Sequence, residues 1–164
     1  MPKITVQVQR FSVVSSRPFD EIVSRLTATI GRPDWKAFDS AVAAARTLAE
    51  LEEVVQGAIG PSELMEFIRF DSGEVLRKER GGQGPSMFRL LVGNPLIMKE
   101  MAKIVPDAAS YAPATILVDE RADGVHLSYD LMESFLTSYR HEAALKVARD
   151  LDAKVVDLLN AAAR

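Results

Sequence analysis

Two alternating runs, Pro113 to Glu120 and Val125 to Asp130, flank Arg121-Ala122-Asp123-Gly124, and no other stretch limits the possible folds of this chain so strongly. Alternation at period two marks a strand with one buried face, and a glycine closing a short connection can take the positive φ of a tight turn. The segment predicts an antiparallel hairpin. On its second strand Val125, Leu127 and Tyr129 share one face while His126, Ser128 and Asp130 share the other, because successive side chains point to opposite sides. Across the turn, Thr115 and Asp119 fall on that same polar face.

The other elements follow from the same kind of periodicity. Ile4, Val6 and Val8 alternate with Thr5, Gln7 and Gln9, a strand pattern over residues 3–14 whose phase slips at Gln9-Arg10, since Phe11 and Val13 keep step with Gln9. A bulge or bend, or an early end to the strand, is expected there. Ser16-Arg17-Pro18 supplies a cap and an early-turn proline for a helix through Phe19, Ile22, Val23, Leu26 and Ile30, stopped by Gly31. Residues 34–59 read as helical, split in two by a capping box at Thr47 and Glu50. Leu64 to Phe70 is apolar on both faces and reads as a central strand. A short helix is expected within 71–79, and a mobile loop at Arg80-Gly81-Gly82-Gln83-Gly84-Pro85.

Met87 to Gly93 is the next strand, and Asn94 directly before Pro95 opens a helix that buries Ile97, Met98, Met101, Ile104 and Val105. Helical segments at about 131–138 and 141–162 end the chain, the second with Leu145, Ala148, Leu151, Val155, Leu158 and Leu159 on one stripe. That stripe fits docking onto the chain's own sheet, with any contact to a second copy placed elsewhere.

The whole reads as a single domain, 1–164, and a chain of this length buries roughly 68–70% of its unfolded surface without staples. Cysteine is absent, which removes disulfides, thiolate metal sites and cysteine nucleophiles together and makes a reducing cytoplasm the expected compartment. The net charge of −3 comes from 20 basic and 23 acidic residues scattered along the sequence, so no basic stripe exists to neutralise phosphates. Nucleic acid is not an expected partner. Nor is a membrane, because Met1-Pro2-Lys3-Ile4 enters alternation at once and no span of about 20 apolar residues follows.

Gly93-Asn94-Pro95, the methionine-containing helix after it, Tyr111 to Glu120 and Gly124 to Asp130 resemble the bacterial domain-of-unknown-function 302 family, with looser similarity over Phe19 to Ile30 and Met65 to Asp71. The resemblance implies an α+β two-layer sandwich, a small, mostly antiparallel sheet covered on one face by helices, related in topology to the TATA-binding-protein fold, and often a homodimer. It does not imply DNA binding. Against the family pattern, residues about 33–59 look like a helical insertion, and Ser72 follows Asp71 where many relatives carry histidine.

Candidate chemistry concentrates on the polar face of the hairpin. His126 with Asp130 or Asp119 forms a possible acid–base set, and Arg89 a clamp for a small anionic substrate. Asn94 at a helix start, with Arg89, Ser128 and Asp71, forms a possible ligand-binding set, although Pro95 removes one helix-end amide. No Gly-x-Ser-x-Gly elbow occurs, and His126 and His141 are the only histidines, so neither a nucleophile nor a metal is expected. No cofactor motif is present. Met65, Met87, Met98, Met101 and Met132 could line an adaptable apolar cavity. The composite expectation is a non-enzymatic module that binds a small molecule or a protein, with the acid–base enzyme as its rival.

Overall fold

The hairpin organises the molecule. In the computed structural model, which describes residues 3–164, the paired strands run Ala114–Arg121 and Gly124–Asp130, with Arg121 opposite Gly124 and Gly124 at φ 137°. Met1 and Pro2, the first residues of the stretch in which no membrane span is expected, lie outside the described residues. In chain order the elements are β1 (Arg10–Ser15), α1 (Phe19–Thr27), α2 (Trp35–Ala44), α3 (Leu48–Gln56), β2 (Met65–Phe70), α4 (Ser72–Glu79) and β3 (Met87–Gly93). They continue as α5 (Pro95–Ala102), α6 (Ala108–Tyr111), β4 (Ala114–Arg121), β5 (Gly124–Asp130), α7 (Met132–Leu136) and α8 (Glu142–Ala163), with a 3-10 turn at Thr137–Tyr139.

The five strands lie in the order β1-β5-β4-β3-β2, and every ladder is antiparallel. Alternation then sorts the residues as expected. Val125, Leu127 and Tyr129 of β5, Ile116 and Val118 of β4, and Phe88, Leu90 and Val92 of β3 enter one core with Ile22, Leu26, Met101, Val155 and Leu159 from the helices. The opposite sheet face is left open. α8 docks along the stripe read from its sequence, burying Leu145, Ala148, Leu151, Val155, Leu158 and Leu159; each fully buried leucine or valine stabilises by about 1.5–3 kcal/mol. The architecture is therefore the α+β two-layer sandwich that the resemblance implied.

Four local expectations are corrected. The slip at Gln9-Arg10 is neither a bulge nor the end of a strand but the start of one: the ladder begins at Arg10, and Lys3–Gln9 belongs to no helix or strand. The first helix stops at Thr27, short of Gly31, and Pro18 occupies its cap position with no side-chain cap bond. Ser16 is not used, because the neighbouring Ser15 hydroxyl donates instead to the Ala163 carbonyl and accepts from Arg17 N–H, tying β1 to α8. Finally, β2 is an edge strand rather than a central one. Part of its apolar character is met by the α2–α3 pair packed beside it, where Phe67 meets the Trp35 ring at 5.1 Å and Met65 joins Val55 and Ala58 in a second small cluster, while Ile68 and Phe70 are left 44% exposed.

The division of the 34–59 segment follows the capping box. Thr47 Oγ1 accepts from Glu50 N–H at 3.2 Å, and the Glu50 carboxylate accepts from Thr47 N–H at 3.3 Å. Thr47→Ala removes half of this exchange and is expected to lower stability by about 1 kcal/mol in urea unfolding. A loss below about 0.3 kcal/mol would show that the box is redundant with the packing of α3.

Candidate functional site

The open face of the sheet gathers most of the polar residues singled out from sequence. Arg89 on β3, Thr115 and Leu117 on β4, Ser128 and Asp130 on β5, and Arg10 on β1 line a shallow basin of about 350 Å³. Arg89 reaches Thr115 Oγ1 at 3.4 Å and lies 6.0 Å from the Phe70 ring centroid. Arg10 grips Asp130 through two hydrogen bonds, at 2.6 and 2.9 Å, and that contact raises the Arg10 pKa. The basin thus holds one closed ion pair, Arg10 with Asp130, and one guanidinium, Arg89, with no carboxylate partner among the described residues.

His126 and Asp119 are cross-strand partners in the hairpin, as alternation requires. Their side chains nevertheless turn to other groups. Asp119, which is 5% exposed, accepts from Arg121 at 2.6 and 3.2 Å, while His126 Nε2 meets Asp123 Oδ1 in the turn at 2.8 Å. The hydrogen bond from His126 holds the Asp123 carboxyl below the usual carboxylate range. His126, Asp119 and Asp130 therefore share a face without forming a mutual hydrogen-bonded set, and His126 does not line the basin.

Asp71 and Asn94 are helix caps. Asp71 accepts from Glu74 N–H at 2.9 Å, and its hydrogen bond from Arg77 depresses its pKa. Asn94 Oδ1 accepts from Leu96 N–H at 2.9 Å, and its amide donates to the Glu63 carbonyl at 3.0 Å. Both side chains are occupied by the fold.

A different feature lies between the layers. Where β3 ends and β4 begins, an apolar cavity of about 120 Å³ opens among Val92, Gly93, Pro95, Met98 and Met101, closed on other sides by Phe67, Ala109, Pro113, Met132 and Leu151. Gly93 leaves room here, since a Cβ on it would stand 3.3 Å from the Phe67 ring. The methionines come from α5 and α7, so three of the five proposed from sequence converge, while Met65 and Met87 do not line this space. An apolar cavity of about 150 Å³ can stay dry and take up a benzene-sized molecule.

Sequence reasoning missed Asp152. It lies on α8, 7% exposed, and its carboxylate accepts from Tyr129 Oη at 2.7 Å, Met132 N–H at 2.7 Å and Glu133 N–H at 2.9 Å. Burial pushes its pKa up, while the hydrogen bonds from Glu133, Tyr129 and Met132 pull it back. The signal was a carboxylate amid the apolar stripe formed by Ala148, Leu151 and Val155. One side chain thereby ties α8 to β5 and caps α7.

A five-stranded antiparallel sheet with helices on one face defines a two-layer α+β protein. The family model described as "Domain of unknown function DUF302" matches residues 40–162, most of the chain, and the protein belongs to that family. The crystal structure of the uncharacterized conserved protein DUF302 from Bacillus stearothermophilus is similar in fold, with a TM-score of 0.64 at 15% identity, over 94% of this chain and 98% of that one. No curated protein matches. Among the described residues no helix is long and apolar enough to cross a membrane.

Proposed function

We infer that this protein is a non-enzymatic binding module that takes a small apolar ligand, or the apolar end of a larger one, between its sheet and its helices. The cavity among Met98, Met101 and Met132 carries this reading. Thioethers adapt to ligands of varied shape, and the one polar side chain in the lining, Asn94, has its amide already committed on both sides. Recognition there is by shape and hydrophobic transfer. The acid–base alternative has less support, since each of its candidate carboxylates is held by an arginine and His126 by the hairpin turn. A cytoplasmic homodimer belongs to the same reading, supported by the absence of cysteine and by an unpaired sheet edge.

The test uses protein labelled at the methionine ε-methyl groups and titrated with benzene. The Met98, Met101 and Met132 resonances are expected to shift along one saturation curve with a Kd near 1 mM, about −4 kcal/mol, while Met87 on the open face stays still. Ala109→Leu, which adds bulk at an exposed point of the lining, should abolish the shifts. Uniform movement of all methionines, or none, would refute the cavity as a binding site.

A further inference from the structure

The two edges of the sheet are protected unequally. An edge strand presents unpaired N–H and C=O groups to any other strand, and natural proteins blunt such edges with charge, bulges or cover. β2 is blunted in all three ways. Its register breaks between Glu66 and Ile68, a bridge to Gly31 occupies Met65, and Glu66 is held by Arg32 and Arg69. β1 is less protected: its one charged residue, Arg10, is already paired with Asp130 on β5, and no other charge follows before Arg17.

The segment leading into β1 has the chemistry of a strand and lacks a strand's partners. From Ile4 to Gln9 it carries no charge, and four of those six residues, Ile4, Thr5, Val6 and Val8, are β-branched, the residue type that favours pleated structure. Among the described residues its one backbone hydrogen bond runs from Leu131 N–H to the Gln9 carbonyl. Ile4 is 63% exposed and Val8 46%, and on β1 itself Val14 is 47% exposed. Among the described residues this period-two apolar pattern stays largely uncovered, and such a pattern asks for a strand from outside the chain.

We propose that Lys3–Gln9 forms a strand against the free β1 edge of a second copy of this protein, each copy lending its arm to the other. Two antiparallel chains with a two-fold axis at Gln9 would set Ile4 against the partner's Val14, Val6 against the partner's Ser12 and Val8 against the partner's Arg10. The two most exposed apolar side chains of this edge then cover each other, twice by symmetry. A register one residue away would instead set Val6 against the partner's Phe11 or Val13, on the face that already packs on the partner's own core. The second copy fits better than an unrelated strand because it brings both halves of the contact, an unpaired arm and an unblunted edge. The ten strands would form one continuous sheet, with β2 as its protected outer edge on each side. This contact rests on the homodimer inferred above and specifies which segment makes it.

The absence of cysteine allows a direct test in the full chain. Sedimentation gives the mass, and oxidising a mixture of Ile4→Cys and Val14→Cys proteins reports contact between different chains only. A dimer is expected, with the mixed disulfide forming about tenfold more than between Ile4→Cys and Val75→Cys, although Val75 on α4 is 73% exposed. Ile4→Lys, at a solvent-facing position, should weaken the dimer about tenfold. A chain that stays monomeric overturns the homodimer and the arm contact together. A dimer that shows no preferred disulfide and is indifferent to Ile4→Lys overturns the arm contact alone.

Discussion

Gly31→Ala is expected to lower stability by about 4 kcal/mol or more, a large share of what a domain possesses. A Cβ on Gly31 would lie 2.0 Å from the Ala58 carbonyl oxygen, and one on Gly60 would lie 2.2 Å from the Thr29 carbonyl oxygen. Neither obstacle is a flexible side chain. The two backbones cross here and share the Leu64 carbonyl, which accepts from Gly31 N–H at 2.9 Å and from Gly60 N–H at 3.0 Å, while Gly31 O accepts from Glu66 N–H at 2.8 Å. Making room for one methyl group must therefore break bonds that hold the end of α1 and the start of β2 together. Gly57→Ala is the control: its Cβ would sit 3.5 Å from the nearest atom in a helical conformation, so it should be neutral or stabilise by about 0.5 kcal/mol. Urea midpoints of the two variants decide the matter, and a Gly31→Ala protein within about 1 kcal/mol of wild type would refute the crossing.

Asp152→Ala is the second large effect, a loss of about 3 kcal/mol, or about 6–12 °C in Tm for a chain of this size. Three donors, the Tyr129 hydroxyl and the Met132 and Glu133 amides, lose their acceptor together, and buried donors left unpaired carry the full desolvation penalty. Asp152→Asn should recover only part, because its new amide hydrogens would face one of those donors. The pH dependence has a definite sign. With the folded pKa raised, mainly by burial, the folded state binds the proton more tightly than the unfolded one, whose carboxyl titrates near pH 4. The contribution of this titration is complete below about pH 4 and is lost as pH rises through the folded pKa. The gap between wild type and Asp152→Ala should accordingly narrow on going from acid towards neutral pH. A gap that widens over that window would show that the hydrogen bonds outweigh burial.

Much of this architecture was legible in order and type. The hairpin around Gly124, the Asn94-Pro95 helix start, the Thr47 and Glu50 box and the α8 stripe are local statements, each decided within a few residues by φ limits, capping or periodicity. The position of β2 was not legible, because a strand apolar on both faces looks the same whether other strands flank it or helices pack beside it. The polar face of the hairpin was read correctly as a face. Which partner each side chain on it would choose was not, since the reach of Arg10, Arg89 and Arg121 depends on neighbouring strands and side-chain torsions.

The amino-acid sequence by itself determined the kind of each main element, the alternation that sends Tyr129 inward and His126 outward, and the family to which the chain belongs. Only the tertiary structure decided that Met98, Met101 and Met132 enclose one cavity, that Asp152 closes the start of a helix far from it in sequence, and that Gly31 and Gly60 cross. The division follows from range. Periodicity and capping act over one or two turns of chain, whereas a cavity, a buried carboxylate and a backbone crossing exist only where separate elements meet.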